Sequence, residues 1–385
     1  MRGRLERTAV LVALMLVVSS VSVAAYAGEG ASSADDALDT ALEKLVTRKN
    51  GPPGIAVVVQ RNGDPELHAA GLGDVEAGTP PAIDDHVRVA SVAKAFSGGA
   101  ALSAVADGVL SLDDTIGARL PDLPSTWSEI TLRQLLGHTS GIPDFSKTSA
   151  FQDAVRASLE VAPAPVELLV YVADEPLEFD PGSEYQYSNS DNIVVGLMLE
   201  AATGQPYADA LQARVAVPLG LTGTSLPTGI EIADPLVHGY AVDPPDPPED
   251  VTEVIAGGWS WASGAVVATP ADSNAFIRGY ASGATTNEAT HEAQLDFVRG
   301  GRSEPPGPGK NSAGLAIFRY RTRCGTVYGH TGNTLGYTHF IAATPDGQRS
   351  TSVSVNAQIT PNTNPKRFPE LRKVFELAVC AALAD

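Results

Sequence analysis

Basic side chains are scarce in this chain. Lys and Arg total 26 against 45 Asp and Glu in 385 residues, a formal net charge of −19. A phosphate backbone would be repelled and no basic stripe offsets the repulsion, so nucleic acid is excluded as a partner. Only 18% of residues are charged and 43% are hydrophobic, too apolar a balance for intrinsic disorder. There is no H-E-x-x-H and no paired C-x-x-C, and Gly71-Leu72-Gly73 lacks the third glycine of a dinucleotide fingerprint. Neither a metal nor a cofactor is expected. Gly258-Trp259-Ser260 continues as Trp261-Ala262, so the G-x-S-x-G elbow of an ordinary α/β-hydrolase is missing as well.

Long apolar runs are confined to one place. Arg2, Arg4 and Arg7 precede Thr8 to Val23, and Ala25-Tyr26-Ala27 follows as a small-x-small site. This pattern predicts a secretory signal over residues 1–27. An uncleaved anchor is the alternative, but the run is shorter than the roughly 20 residues that cross a bilayer. Cleavage leaves 23 basic against 44 acidic residues, net −21, with no stable membrane insertion. Cysteine is nearly absent. The pair Cys324 and Cys380 in an exported chain predicts one disulfide, with two buried free thiols as the alternative.

What remains is patterned. Ser33 is placed to cap a helix through Leu38, Leu42 and Leu45 that ends at Asn50-Gly51. Gly54 to Gln60 reads as a buried strand, Asn62-Gly63 as a tight turn and Pro65 to Ala70 as the hairpin partner. From Ser91 to about Tyr240 helical spacing prevails, as in Ile130 to Leu136 and Ile193 to Thr203. The acidic proline run Asp243 to Asp250 is a surface loop and a boundary. Beyond it Ala265 to Ala268, Ala313 to Arg319, Thr338 to Ala343 and Ser350 to Asn356 read as strands, and Arg367 to Leu383 as a closing helix. The expected division is a sheet-plus-helices part (33–90 and 255–385) and a mostly helical part (91–254), with a cleft between them.

Three short patterns carry chemistry: Ser91-Val92-Ala93-Lys94, Tyr187-Ser188-Asn189 and His330-Thr331-Gly332. If Ser91 opens a helix, Lys94 lies one turn later on the same face, where an amine can take the hydroxyl proton. The helix N-terminus brings backbone N–H groups to a developing oxyanion. Each pattern alone is weak, yet all three in this order are expected about 0.01 times by chance. The neighbouring Ser190-Asp191-Asn192 is read as a helix cap, and His138-Thr139-Ser140-Gly141 as structural. Trp259 and Trp261 are read mainly as packing residues, with substrate contact at a cleft as the other use.

Together these motifs resemble the serine β-lactamase and penicillin-binding protein family, marked by S-x-x-K with S-D-N and K-T-G counterparts. The Y-x-N and H-T-G forms look closest to secreted D-alanyl-D-alanine carboxypeptidases and class C β-lactamases. The resemblance implies an α+β fold, an α/β sandwich with a five-stranded antiparallel sheet flanked by helices and an inserted all-helical domain. It also implies roles. Ser91 would attack a carbonyl, Lys94 and Tyr187 would move protons, and Asn189 would contact a substrate amide. His330, Thr331, Gly332 and Asn333 would line the facing wall with Trp259 nearby, and the N–H groups of Ser91 and Asn333 would form the oxyanion hole. Carboxypeptidase relatives hold the terminal carboxylate with an arginine on the strand before H-T-G and a hydroxyl residue after it. Phe318 and Asn333 stand there in this chain, with Arg319 and Arg321 close by. In this family the closing helix packs on the sheet, which would bring Cys380 to Cys324.

The leading expectation is a secreted, monomeric serine hydrolase, D-alanyl-D-alanine carboxypeptidase-like and active on cell-wall peptides. A β-lactamase or esterase of the same family is the alternative. A non-catalytic protein that binds peptidoglycan or β-lactams is the alternative of another class.

Overall fold

The computed structural model describes residues 29–385; the expected signal segment lies outside them. Helix α1 (Glu29–Val46) opens the fold. It starts four residues before Ser33, which is an exposed residue within the helix rather than its cap. Strands β1 (Gly54–Gln60) and β2 (Glu66–Gly71) form the expected hairpin. Helices α2 (Ala93–Ala106) and α3 (Asn189–Thr203) lie in the central region, and α4 (Pro270–Ala281) follows it. The chain then adds β3 (Val298–Arg299), β4 (Lys310–Ala313), β5 (Phe318–Arg321), β6 (Thr326–Thr334), β7 (Tyr337–Ala343) and β8 (Ser350–Val355) before α5 (Phe368–Leu383).

The fold is α+β, and its sheet has eight strands in the order β2-β1-β8-β7-β6-β5-β4-β3, every neighbouring pair antiparallel. Five strands were expected. The three further strands are β6, which lies between β5 and β7, and β4 and β3 at one edge, of four and two residues, too short to show a period-two pattern. The run Ala313 to Arg319 is also not one strand. It folds back on itself where the Gly314 N–H bonds the Ile317 carbonyl and Ala316 takes φ 53°.

Alternation along the strands builds two layers. On β7, Phe340 and Ala342 join one core with Ile55, Val57, Val353 and the apolar faces of α1 and α5. Ile341 and Ala343 face the other way, into a core that includes Phe276 of α4, Phe96 of α2 and Val194 of α3. This second core is continuous from sheet to helical region, which fixes the two walls of the site against each other. Among the described residues, no helix is long and apolar enough to cross a membrane.

Cys324, on the turn into β6, is bonded to Cys380 of α5 across a Cα separation of 5.2 Å. The bond closes a separation of 56 residues, worth about 4 kcal/mol in the chain-entropy treatment. Reduction is expected to lower the thermal midpoint by several degrees. Identical melting curves with and without reductant, or two free thiols titrated after denaturation of the unreduced protein, would contradict the assignment.

Candidate active site

Ser91 lies in a short 3₁₀ turn, Ala90–Val92, that runs straight into α2. Ala90 just before it has φ 50°, a left-handed conformation that costs an L-residue on the order of 1–3 kcal/mol and recurs at functional sites. Lys94 follows one turn later and is fully buried. Its Nζ donates to the Ser91 hydroxyl at 3.1 Å and to the Ser263 carbonyl at 2.7 Å. Burial drives its pKa from 10.5 down to about 7, against the pull of Asp144, Glu304 and Asp191 in the other direction. Desolvation disfavours the charged amine more than those carboxylates restore it. At neutral pH much of Lys94 is therefore a free amine, and in that form its nitrogen can accept from the Ser91 hydroxyl instead of donating to it.

Tyr187 closes over this pair, its ring centroid 5.1 Å from Lys94 Nζ. Its hydroxyl lies close to Ser91 without a hydrogen bond of ordinary geometry. Burial holds the phenol well above its usual range, so it stays protonated. The ring rests on His138, centroids 4.6 Å apart. His138 is buried and held through Nδ1 by Asp191 at 2.9 Å, and Ser140 donates to the same carboxylate at 2.5 Å.

The second triplet thus faces inward. Helix α3 begins at Asn189 with Ser188 at its N-cap, so Ser190 does not cap it. Instead the Ser190 hydroxyl donates to the Pro143 carbonyl at 2.6 Å and accepts from the Phe145 N–H at 3.0 Å, tying down the loop beside the site. Asn192 accepts from Ser97 of α2 at 2.7 Å. Asn189 remains at the cavity, its Nδ2 held by Asp144 at 3.2 and 3.1 Å and by Ser146 at 2.8 Å.

Strand β6 supplies the facing wall, and Gly332 sets how closely it approaches. A Cβ there would meet the Val89 carbonyl at 2.3 Å and the Ser91 amide nitrogen at 2.9 Å, so only a bare Cα lets Asn333 reach the nucleophile's turn. Asn333 lines the cavity. The His330 and Thr331 side chains do not; both are buried behind it. Thr331 donates to the Pro305 carbonyl at 2.5 Å. The His330 Nδ1 lies 2.6 Å from the Thr331 carbonyl, which an N–H there must be donating to. Burial lowers its pKa to about 3, so the imidazole is neutral.

The cavity encloses about 320 Å³, the lower end of small-molecule sites. Phe145, Phe151, Val155, Ile255 and Trp259 give it an apolar side. Trp259 is anchored by its indole N–H on the Ser158 carbonyl at 2.9 Å, while Trp261 is core, packed on Tyr207 with ring centroids 4.9 Å apart. Phe318 sets its ring edge-on to His330, centroids 4.9 Å apart. Arg319 stacks on Phe297 at 4.5 Å and Arg321 is exposed; neither lines the cavity. Sequence reasoning missed Arg88, Glu304 and the Ser263 carbonyl at this site. A backbone acceptor leaves no side-chain signal to find.

A profile of the β-lactamase family matches residues 38–374. The chain belongs to that family. It is 33% identical over 216 residues to the esterase EstB of Burkholderia gladioli, covering 54% of this chain and 55% of that one. It is 28% identical over 201 residues to protein flp of Staphylococcus aureus strain COL, covering 49% of this chain and 37% of that one. The chain thus spans about half or less of these curated relatives. Among solved structures, a D-stereospecific amidohydrolase from Streptomyces sp. superposes with TM-score 0.75 at 26% identity, over 88% of this chain and 98% of that one. The D-amino acid amidase of Ochrobactrum anthropi SV3 does so with TM-score 0.78 at 22% identity, over 91% and 98%, a likeness of fold.

The contact at Gly332 generates a direct test. Gly332→Ala pushes β6 off the Ser91 turn, and a misplacement near 1 Å costs about 100-fold in rate. A loss of that order in kcat/KM is expected, measured with a chromogenic ester; activity within threefold of the unsubstituted protein would refute the close approach.

Proposed function

We propose that this β-lactamase-family hydrolase cleaves small amides or esters through an acyl-enzyme on Ser91, with Lys94 as the base. The observation that carries the proposal is the buried amine with a pKa of about 7, 3.1 Å from the serine hydroxyl. Ser91 Oγ forms a bond to the substrate carbonyl carbon while its proton passes to the Lys94 lone pair. The oxyanion is met by the N–H groups of Ser91 and Asn333. The carbon–nitrogen or carbon–oxygen bond then breaks and the departing amine or alcohol takes a proton from Tyr187, which recovers one from Lys94. Water attacks the ester on Ser91 and gives up a proton to the same amine; as the acyl–oxygen bond breaks, Lys94 returns that proton to Ser91 Oγ, which releases the acid and restores the serine hydroxyl and the free amine. Tyr187, held protonated by burial, serves as the acid and not as the first base.

Phe318 separates the finer readings. The position where a carboxypeptidase would carry an arginine holds a buried phenyl ring against His330, and Arg319 and Arg321 are turned elsewhere. This favours an amidase or esterase over a D-alanyl-D-alanine carboxypeptidase, in keeping with what EstB and the Streptomyces protein are called. The N-terminal pattern and the disulfide support export to an oxidising compartment.

Rates on a short-chain ester, an amino-acid amide, a cephalosporin and a D-Ala-D-Ala peptide rank the substrate classes, and a peptide preferred over ester and amide would restore the carboxypeptidase reading. Ser91→Ala should abolish covalent labelling by an acylating probe in intact-protein mass spectrometry; full labelling of that variant would sink the assignment, and reversible binding with no adduct on the native protein would favour a pure receptor. Because the free amine is the active form, kcat/KM on a neutral ester should rise about tenfold per pH unit below pH ~7 and level off above it. A profile flat from about pH 5.5 to 8.5 would exclude Lys94 as the base.

A further inference from the structure

The orientation of Asn189 is fixed by its neighbours. A carboxylate only accepts hydrogen bonds, so the Asp144 oxygens at 3.2 and 3.1 Å must face the Asn189 amide nitrogen, which also reaches Ser146 at 2.8 Å. Asp144 is itself buried and further held by the Ser146 N–H at 3.0 Å. This leaves Asn189 Oδ1, which has no partner among the described residues, as the atom available to the cavity. The side chain therefore offers an acceptor and cannot donate to a substrate carbonyl.

A second acceptor lines the same cavity. Glu304 lines the same cavity as Ser146, Tyr187 and Asn189, with its side chain 48% exposed. The loop beneath it is pinned. The Pro305 carbonyl accepts from Thr331 of β6 at 2.5 Å and from Ser303 at 3.1 Å, and the Tyr185 hydroxyl donates to the Arg302 carbonyl at 2.7 Å. Lys147 is the nearest cation, 4.0 Å away, and it is shared with Asp144 at 3.6 Å. Two carboxylates against one ammonium leave the group with a net negative charge, which Lys94, drawn to both carboxylates and about half charged at neutral pH, offsets only in part. The other charged side chain at the cavity, Arg88, is occupied on a different wall by the Ile230 carbonyl at 2.5 Å and the Thr252 carbonyl at 3.4 Å.

We propose that Asn189 Oδ1 and Glu304 together recognise an ammonium group on the acyl half of the substrate. The preferred substrates are then amides or esters of amino acids with a free α-amine. An N-acylated substrate loses the charge and brings a carbonyl oxygen toward an amide oxygen and a carboxylate. The same mismatch disfavours β-lactams that carry an acylamino side chain. The apolar wall of Phe145, Phe151, Val155 and Trp259 suits the side chain of an apolar or aromatic amino acid. This inference rests on the acyl-enzyme reading of Ser91 and adds the substrate class to it.

The test compares phenylalanine amide with N-acetyl-phenylalanine amide, both enantiomers, on the full chain and on Glu304→Gln and Glu304→Lys. The native protein should favour the free amine by tenfold or more in kcat/KM. That ratio should fall at least tenfold in Glu304→Gln, chiefly through KM, and invert in Glu304→Lys. A native protein that prefers the N-acetyl amide, or a ratio unmoved by either substitution, overturns the proposal. Calorimetric binding of the same two amides to Ser91→Ala gives a readout that needs no turnover. A Kd at least tenfold lower for the free amine supports the ammonium site even if hydrolysis fails, and equal affinities overturn it even if Ser91 proves to be the nucleophile.

Discussion

The structure turns on one expensive placement, a lysine amine buried to the last atom at the start of α2. A shift from 10.5 to about 7 corresponds to a destabilisation on the order of 5 kcal/mol when the amine is charged. The fold offsets it with packing. Ala93, Ala95, Phe96, Ala100 and Ala101 around Lys94 are all buried, so α2 is a core helix with no solvent stripe. Gly98 lets the helix lie against Ala316, where a Cβ would come within 2.2 Å. The helix is thereby locked between α3 and the strand region, and the nucleophile's turn inherits that rigidity. The unfolded chain binds the extra proton between pH 7 and 10.5, so this contribution to stability grows as pH rises through that window and is least below it.

Around that amine the site is organised by acceptors more than by charges. Ser263 holds Lys94 by a carbonyl, Asp191 steadies His138 beneath Tyr187, and Asp144 turns Asn189 so that oxygen faces outward. His330 contributes no positive charge, because burial keeps it neutral. Where relatives place a lysine in that motif, this chain has an uncharged ring packed on Phe318. Less positive potential remains to attract a substrate carboxylate.

The motifs were legible because each asks for a particular side chain at a particular spacing. Ser91, Tyr187, Asn189 and Asn333 line one cavity from three distant stretches of chain, with Lys94 hydrogen-bonded to Ser91, and the hairpin β1–β2 and helix α5 follow their apolar periods to within a residue or two. What stayed hidden is of other kinds. The Ser263 carbonyl belongs to every residue type alike, and the direction of the Asn189 amide depends on Asp144, 45 residues away. Glu304 sits in a Pro- and Gly-rich loop without periodicity. Strands β3 and β4 are set by pairing at the sheet edge, not by their own sequence. Ser190 carried the local signature of a cap, and tertiary contacts to Pro143 and Phe145 used its hydroxyl instead.

The link between Cys324 and Cys380 defines a path for mechanical force. Tension on the end of α5 passes through Arg349, which stands just before β8 and donates to the Ala384 carbonyl and to Asp385, and through the sulfur bridge into the turn that opens β6. It enters the strand at Thr326. Asn333 lies seven residues farther along, roughly 23 Å away at the usual strand rise. Between those points β6 is laced to β5 and β7 on both sides, which spreads the load sideways into the sheet. A pull on α5 therefore reaches β6 at the end of the strand far from Gly332 and Ser91.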